Sequence, residues 1–283
     1  MEARMKKGFF SPKRFSQLLL RDFTSGYRAT LISMAAIAGG VLLIAVLTAL
    51  GIALSGGGQT PDAELYFGLF TNVMFFGGFI VSSLAFKEAH QGGSGIFYMT
   101  IPSSTFEKFA SKLLVTSLGF AVGTLVLITA TSAVSEGVVR LIFGFGFGFF
   151  NPFSRTVLEL VGIYLIMQSV FLMGSLWFKK LAFVKTALWI AIFGVVTLIV
   201  AAAAVRILMA DSITWDGIHF GGNASGEVFY NWSEETVMKS FGPGTRGAQG
   251  LEAFKIAGKI LFIGVLAPVC WLASYFRLGE IEV

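Results

Sequence analysis

The sequence predicts an all-α integral membrane protein. Six transmembrane helices follow an N-terminal interfacial helix, with a structured polar loop between helices 2 and 3 and an enlarged segment between helices 5 and 6. Three observations lead there. Apolar residues make up 55% of the 283-residue chain and charged residues only 13%, with a mean hydropathy of +0.79, well beyond a soluble globular domain. Six apolar blocks are each long enough to cross the ~30 Å hydrocarbon layer, which takes about 20 helical residues. The polar residues between them are gathered, most densely in the island 87–112, KEAHQGGSGIFYMTIPSSTFEKFASK.

Taken in order, Ser11 and Pro12 read as a helix cap followed by proline at the first helical position. Beyond them Phe15, Leu18, Leu19 and Phe23 share one face, while Lys13, Arg14, Gln17 and Arg21 share the other, the pattern of a helix lying in the membrane surface over 11–27. The spans are placed at 29–54, 65–86, 113–133, 157–178, 181–205 and 254–276, within a single transmembrane domain over 1–283. No small-residue cleavage site follows the basic N-terminal stretch, so the first span reads as uncleaved. Lys179 and Lys180 alone separate spans four and five, implying a tight antiparallel turn.

Basic residues orient the bundle. The cluster from Arg4 to Arg28, with Lys87, Lys108, Lys112, Lys179, Lys180 and Arg277, falls on one side; only Arg140, Arg155, Arg206, Lys239 and Arg246 fall on the other. Both termini and the island are therefore expected in the cytoplasm, with 207–253 outside. That external segment is acidic, carries Trp215 and Trp232 as interfacial anchors, and reads as a small cap. Between spans three and four, 134–155 includes the run Phe143 to Phe150, FGFGFGFF, too short and glycine-rich to span and expected half-buried at the outer boundary.

Within the island, Lys87, Glu88, Ala89 and His90 carry the second span out into water, and Gly92, Gly93 and Gly95 break it. Ser104 and Glu107 have the S-x-x-E spacing of a capping box, so a new helix is expected near Ser104, with Phe106, Phe109, Leu113 and Leu114 on one side and Lys108 and Lys112 on another.

Enzymatic chemistry is not expected of this chain. No GxxxxGK[ST] loop is present to cradle phosphates, and with His90 and His219, one cysteine (Cys270), and no HExxH or CxxC, metal binding has little support. Gly92-Gly93-Ser94-Gly95 resembles the G-x-S-G of rhomboid-type proteases, but Ser94 lies in a charged loop and His219 on the opposite side of the membrane. Nor are ion-coupling groups buried mid-membrane, since Glu159, Lys185 and Arg206 lie near span ends. Asn72 and Gln168 are the deepest polar side chains, read first as helix-to-helix hydrogen bonds and second as groups lining a path. A basic surface for nucleic acid is not indicated.

The stretch His90 to Leu114, HQGGSGIFYMTIPSSTFEKFASKLL, is similar to a loop in the membrane subunits of bacterial ABC-2 type transporters, where a glycine-rich turn leads into a proline-serine-x-x-glutamate-lysine helix start. The likeness in layout runs over 11–277. It implies a permease subunit in the bacterial inner membrane that pairs with a second, identical or related permease subunit. A separate cytoplasmic ATPase would carry the ATP and magnesium, this chain holding no cofactor. It further implies export, a path lined by spans one, two and five, and a coupling role for the island, with Lys87, Glu88, His90, Phe97 and Tyr98 docking in a groove of the ATPase. A non-transporting membrane scaffold or sensor is the alternative, differing in that it needs no nucleotide-hydrolysing partner at the island.

Overall fold

The computed structural model describes residues 10–24, 27–55, 64–90, 100–208, 258 and 260–281. These are 88% helical, with no strand among them, and six helices are long and apolar enough to cross a membrane, which makes the chain a multi-pass membrane protein. Residues 91–99, with Phe97 and Tyr98, and 209–253, the segment expected outside the membrane, are not among the described residues.

Helix α1, Pro12–Thr24, is amphipathic and opens on proline; Phe15 N–H already reaches the Ser11 carbonyl. Helix α2, Tyr27–Leu54, is apolar around its whole circumference, as a span immersed in lipid should be. The second span is built from α3, Glu64–Asn72, a π turn at Val73–Gly77, and α4, Gly78–Leu84, and a short 3-10 turn at Lys87–His90 follows. The third combines α5, Thr105–Leu114, a second π turn at Val115–Gly119, and α6, Phe120–Phe143. Then come α7, Arg155–Trp177, α8, Ala182–Leu208, and, after a third π turn at Leu261–Leu266, α9, Ala267–Ile281.

The helix of the third span continues past 133, through Glu136 and Arg140 to Phe143. Glu136 does not stop it, because its carboxylate folds back to accept from Arg140 Nε at 2.8 Å and from the N–H groups of Phe147 (2.9 Å) and Gly148 (3.2 Å). The charge is thus neutralised locally and can be buried. Lys108, expected on the watery side of α5, is buried.

The exit run then acquires a physical reason for its alternation. Gly144 and Gly148 adopt positive φ, and a side chain on Gly146 would overlap the Glu136 carboxylate. Of the phenylalanines, Phe147 meets Tyr66 edge-on at 6.1 Å and Phe150 lies 5.2 Å from Phe70, while Phe149 is exposed under Arg140.

The chain divides into two compact units, Met1–Thr186 with Leu266–Val283, and Ala187–Val265. In the first, α2 packs along α6, α4 and α9 along α7, and α1 and α9 against α5. In the second, the described part of α8 presents exposed apolar side chains, among them Trp189, Phe193 and Leu198, as a span facing lipid does. The turn into α8 places Leu181 at a φ of 54° beside the exposed Lys179 and Lys180.

The first unit has two apolar cores. The outer one includes Val41, Tyr66, Phe70, Met74, Ile128 and Phe147, with Tyr164 on α7 at its edge. The inner one gathers Phe86, Ala89, Phe109, Leu172, Leu176 and Leu278 around the two ends of the island.

Candidate functional site

The island is fastened to the N-terminal helix through one carboxylate. Ser104, in extended conformation, accepts from Glu107 N–H through its hydroxyl at 3.2 Å, and Glu107 Oε2 accepts from Ser104 N–H at 2.9 Å, so the capping box is complete. The other oxygen, Oε1, reaches across 96 positions of sequence to accept Ser11 N–H at 2.6 Å, and Arg14 donates to it at 3.2 Å. One glutamate therefore caps two helices at once, α5 through Ser104 and the entry of α1 through Ser11.

Glu107 has no exposed surface and precedes the span that hydropathy places at 113–133. The continuous helix Thr105–Phe143 has 39 residues, far more than the ~20 that a crossing uses. Burial alone would push the Glu107 carboxyl up. The N–H groups of Ser104 and Ser11 and the Arg14 guanidinium outweigh that and hold it below its ordinary value.

A second polar contact lies two turns along. Asp22 near the end of α1 receives Lys112 Nζ at 3.0 Å and the Ser111 hydroxyl at 2.6 Å, with both charged side chains largely buried. Between the two polar points α1 supplies Leu18, and Phe23 at its far end lies against Gly119 in the second π turn. Phe106 of α5 packs edge-on against Phe10 at 6.3 Å and Tyr275 of α9 at 6.4 Å, and Phe109 meets Tyr275 at 6.2 Å and Phe86 at 6.4 Å. α1, α5, α9 and the end of the second span thus form one apolar block with its charges paired inside it.

The residues singled out from the sequence divide. Ser104 and Glu107 are at the centre of the clasp. Glu88 faces Arg21 of α1 at 3.9 Å, both exposed, a contact of little energetic weight. His90 is turned toward α7, where Nε2 donates to the Ser175 carbonyl at 3.0 Å. Lys87 is exposed. Asn72 and Gln168 are elsewhere and do not meet: Asn72 is exposed and donates to the Gly68 carbonyl one turn back, while Gln168 is fully buried and accepts from the Ser82 hydroxyl at 2.9 Å. Asn72 is therefore not a contact between helices, whereas Gln168 is.

Sequence reasoning missed Arg14, Asp22 and Lys112, reading the basic face of α1 as turned to water. A signal was present in Asp22, a lone acid in an otherwise basic helix, which asks for a cation on another element. No group of three or more His, Cys, Asp or Glu side chains placed to hold a metal is found among the described residues.

What the arrangement can do is mechanical. A force on α5 reaches α1 through Glu107 and Lys112, reaches α9 through Tyr275, and reaches the second span through Phe86. No family model, no curated protein and no solved structure matches this chain.

Proposed function

We propose that this protein is the permease subunit of an ATP-binding-cassette transporter of the ABC-2 type, an exporter driven by a separate ATPase that docks on the island from the cytoplasm. The observation that carries this reading is the buried Glu107 clasp, which makes the island and α1 a single mechanical part seated on the ends of spans two, three and six. A loop that merely joined two spans would need no long-range carboxylate to hold it. An element that is pushed by a partner does, since without the clasp the push would be lost in bending of the loop. The exposed Lys87 and half-exposed Glu88 and His90 stand at the base of the glycine turn, where charged side chains are available to a docking groove. Both termini and the island then face the cytoplasm of a bacterial inner membrane, and a second permease subunit completes the path.

The test is purification of the tagged protein in mild detergent from its native host, beside a variant with Lys87, Glu88 and His90 changed to alanine. The expected result is a phosphate-loop ATPase that co-elutes, is stimulated by the intact protein, and is released or uncoupled by the triple change. A preparation that neither binds nor stimulates an ATPase would sink the reading and leave a scaffold or sensor in its place.

A further inference from the structure

Both spans that enter and leave the island contain a π turn, Val73–Gly77 in one and Val115–Gly119 in the other. A π turn puts one extra residue into the helical ladder, frees carbonyls from their usual partners, and recurs at functional positions. Polar side chains flank both turns: Thr71 and Asn72 donate one turn back to the Phe67 and Gly68 carbonyls at 2.8 Å, and Thr116 and Ser117 donate to those of Lys112 and Leu113.

The two π turns converge on one side chain of α7. Tyr164 is fully buried, its hydroxyl donates to the Thr116 carbonyl at 2.8 Å, and its ring lies flat against Gly78, where an added Cβ would overlap it. Phe120, directly after the second π turn, lies 5.9 Å from the same ring and touches Gly77. Tyr164 thus bears on the first π turn through its face and on the second through its hydroxyl.

The outer and inner cores part just on the island side of this point. The level between them is polar: Ser82, Ser83, Gln168 and Ser169 are all buried there. The Ser82 to Gln168 bond crosses it, while Gln168 Nε2 and Ser83 Oγ have no hydrogen-bond partner among the described residues. Unpartnered buried polar groups oppose tight closure. By contrast α7 is α-helical without interruption through both cores.

We propose that the two π turns form a hinge with Tyr164 as its pin. The inner ends of spans two and three, with the island and α1, tilt as one lever against α7, while the outer core stays packed. Among the described residues the directional ties of the lever to α7 are few, Tyr164 to Thr116 and Ser82, Ser82 to Gln168, and His90 to Ser175. Other contacts, such as Phe79 stacked on Phe171 and Phe86 and Phe109 beside Leu172 and Leu176, are apolar and can slide. This hinge does not depend on what pushes the island.

The experiment measures spin-label distances in the full-length protein in lipid nanodiscs, with Cys270→Ser as background. Labels at Lys87→Cys and Lys179→Cys report the inner end, and labels at Leu54→Cys and Leu141→Cys the outer end; all four positions are exposed. Tyr164→Phe keeps the ring and removes the bond to Thr116. It is expected to change the ratio of populations at the shorter and longer inner-pair distances by about fivefold, the worth of one ordinary hydrogen bond, and to leave the outer pair unchanged. An inner distribution untouched by Tyr164→Phe overturns the hinge. So does a change in both pairs together, which would mean general loosening.

Discussion

The long helix Thr105–Phe143 carries a fully buried glutamate near each end, and the two are alike in chemistry and opposite in reach. Glu107 and Glu136 each accept two backbone N–H groups and one arginine. Glu136 takes Phe147, Gly148 and Arg140, all within 12 positions, and folds the exit of its own helix back on itself. Glu107 takes Ser11 and Arg14 from a helix more than 90 positions away. A local clamp closes a short loop at small entropic cost and has nothing to transmit. A long-range clamp makes two separate elements move together. One end of this helix is thus clamped to its own exit loop and the other, at the island, to a separate helix.

The largest effect that would break this comparison comes from removing Glu107. Glu107→Ala takes away the buried carboxylate shared by the Ser11 N–H and Arg14, and loss of one partner of a buried pair costs about 3–5 kcal/mol. The expected outcome is release of α1, seen as new trypsin cleavage after Lys13, Arg14 or Arg21, with cleavage after Arg140 unchanged. Glu136→Ala should cost a similar amount and raise cleavage after Arg140 alone, since 144–150 holds no lysine or arginine. If either change released both ends, the two clamps would be one cooperative structure and the contrast would fall.

Next in size, Gly146→Ala places a methyl group where the Glu136 carboxylate lies, and overpacking of this kind costs about 1–3 kcal/mol. The same substitution at Gly137, mid-helix with open space around it, should instead stabilise by about 0.5–1 kcal/mol, and a thermal melt in detergent compares the two.

Acid separates the inner clamp from a merely apolar contact. Because the Glu107 carboxyl is held below its ordinary value, its contribution is complete above the usual glutamate range, about 4.3, and is lost as pH falls through the lower folded value. Trypsin is unsuited at low pH, so pepsin accessibility of α1 is the readout. Protection should persist at pH 5 and decline well below 4, and Glu107→Gln should remove that dependence.

How far the sequence alone reaches differs between the two ends. The Ser104 and Glu107 box is visible because it is three residues wide and has a single physical purpose. Its second role is not, since nothing within one sequence links Glu107 to Ser11 and Arg14. The six spans follow from apolar length, but the run of the third helix past 133 does not, because the mutual neutralisation of Glu136 and Arg140 is a matter of i, i+4 geometry and a glycine loop. The π turns carry no hydropathy signature at all. Thr71, Asn72, Thr116 and Ser117 lie at or beside them, but such residue types also sit in unbroken helices, as Thr129 does. Gln168 was identified as deep from its position, and Asn72 misled because depth along a helix says nothing of which way the residue faces.

The smallest effect is the most discriminating for the coupled end. Arg21 and Glu88 join α1 to the base of the island at 3.9 Å with both side chains exposed, so Arg21→Ala should change stability by no more than about 0.5 kcal/mol. Asp22→Asn, at a largely buried pair beside it, should cost more, about 1–3 kcal/mol. If Arg21→Ala proved the costlier of the two, α1 would be held at its surface and not through its buried face. A partner's push on the island would then reach α1 through solvent-exposed side chains, which hold no fixed geometry, and the rigid lever would give way to a loose tether.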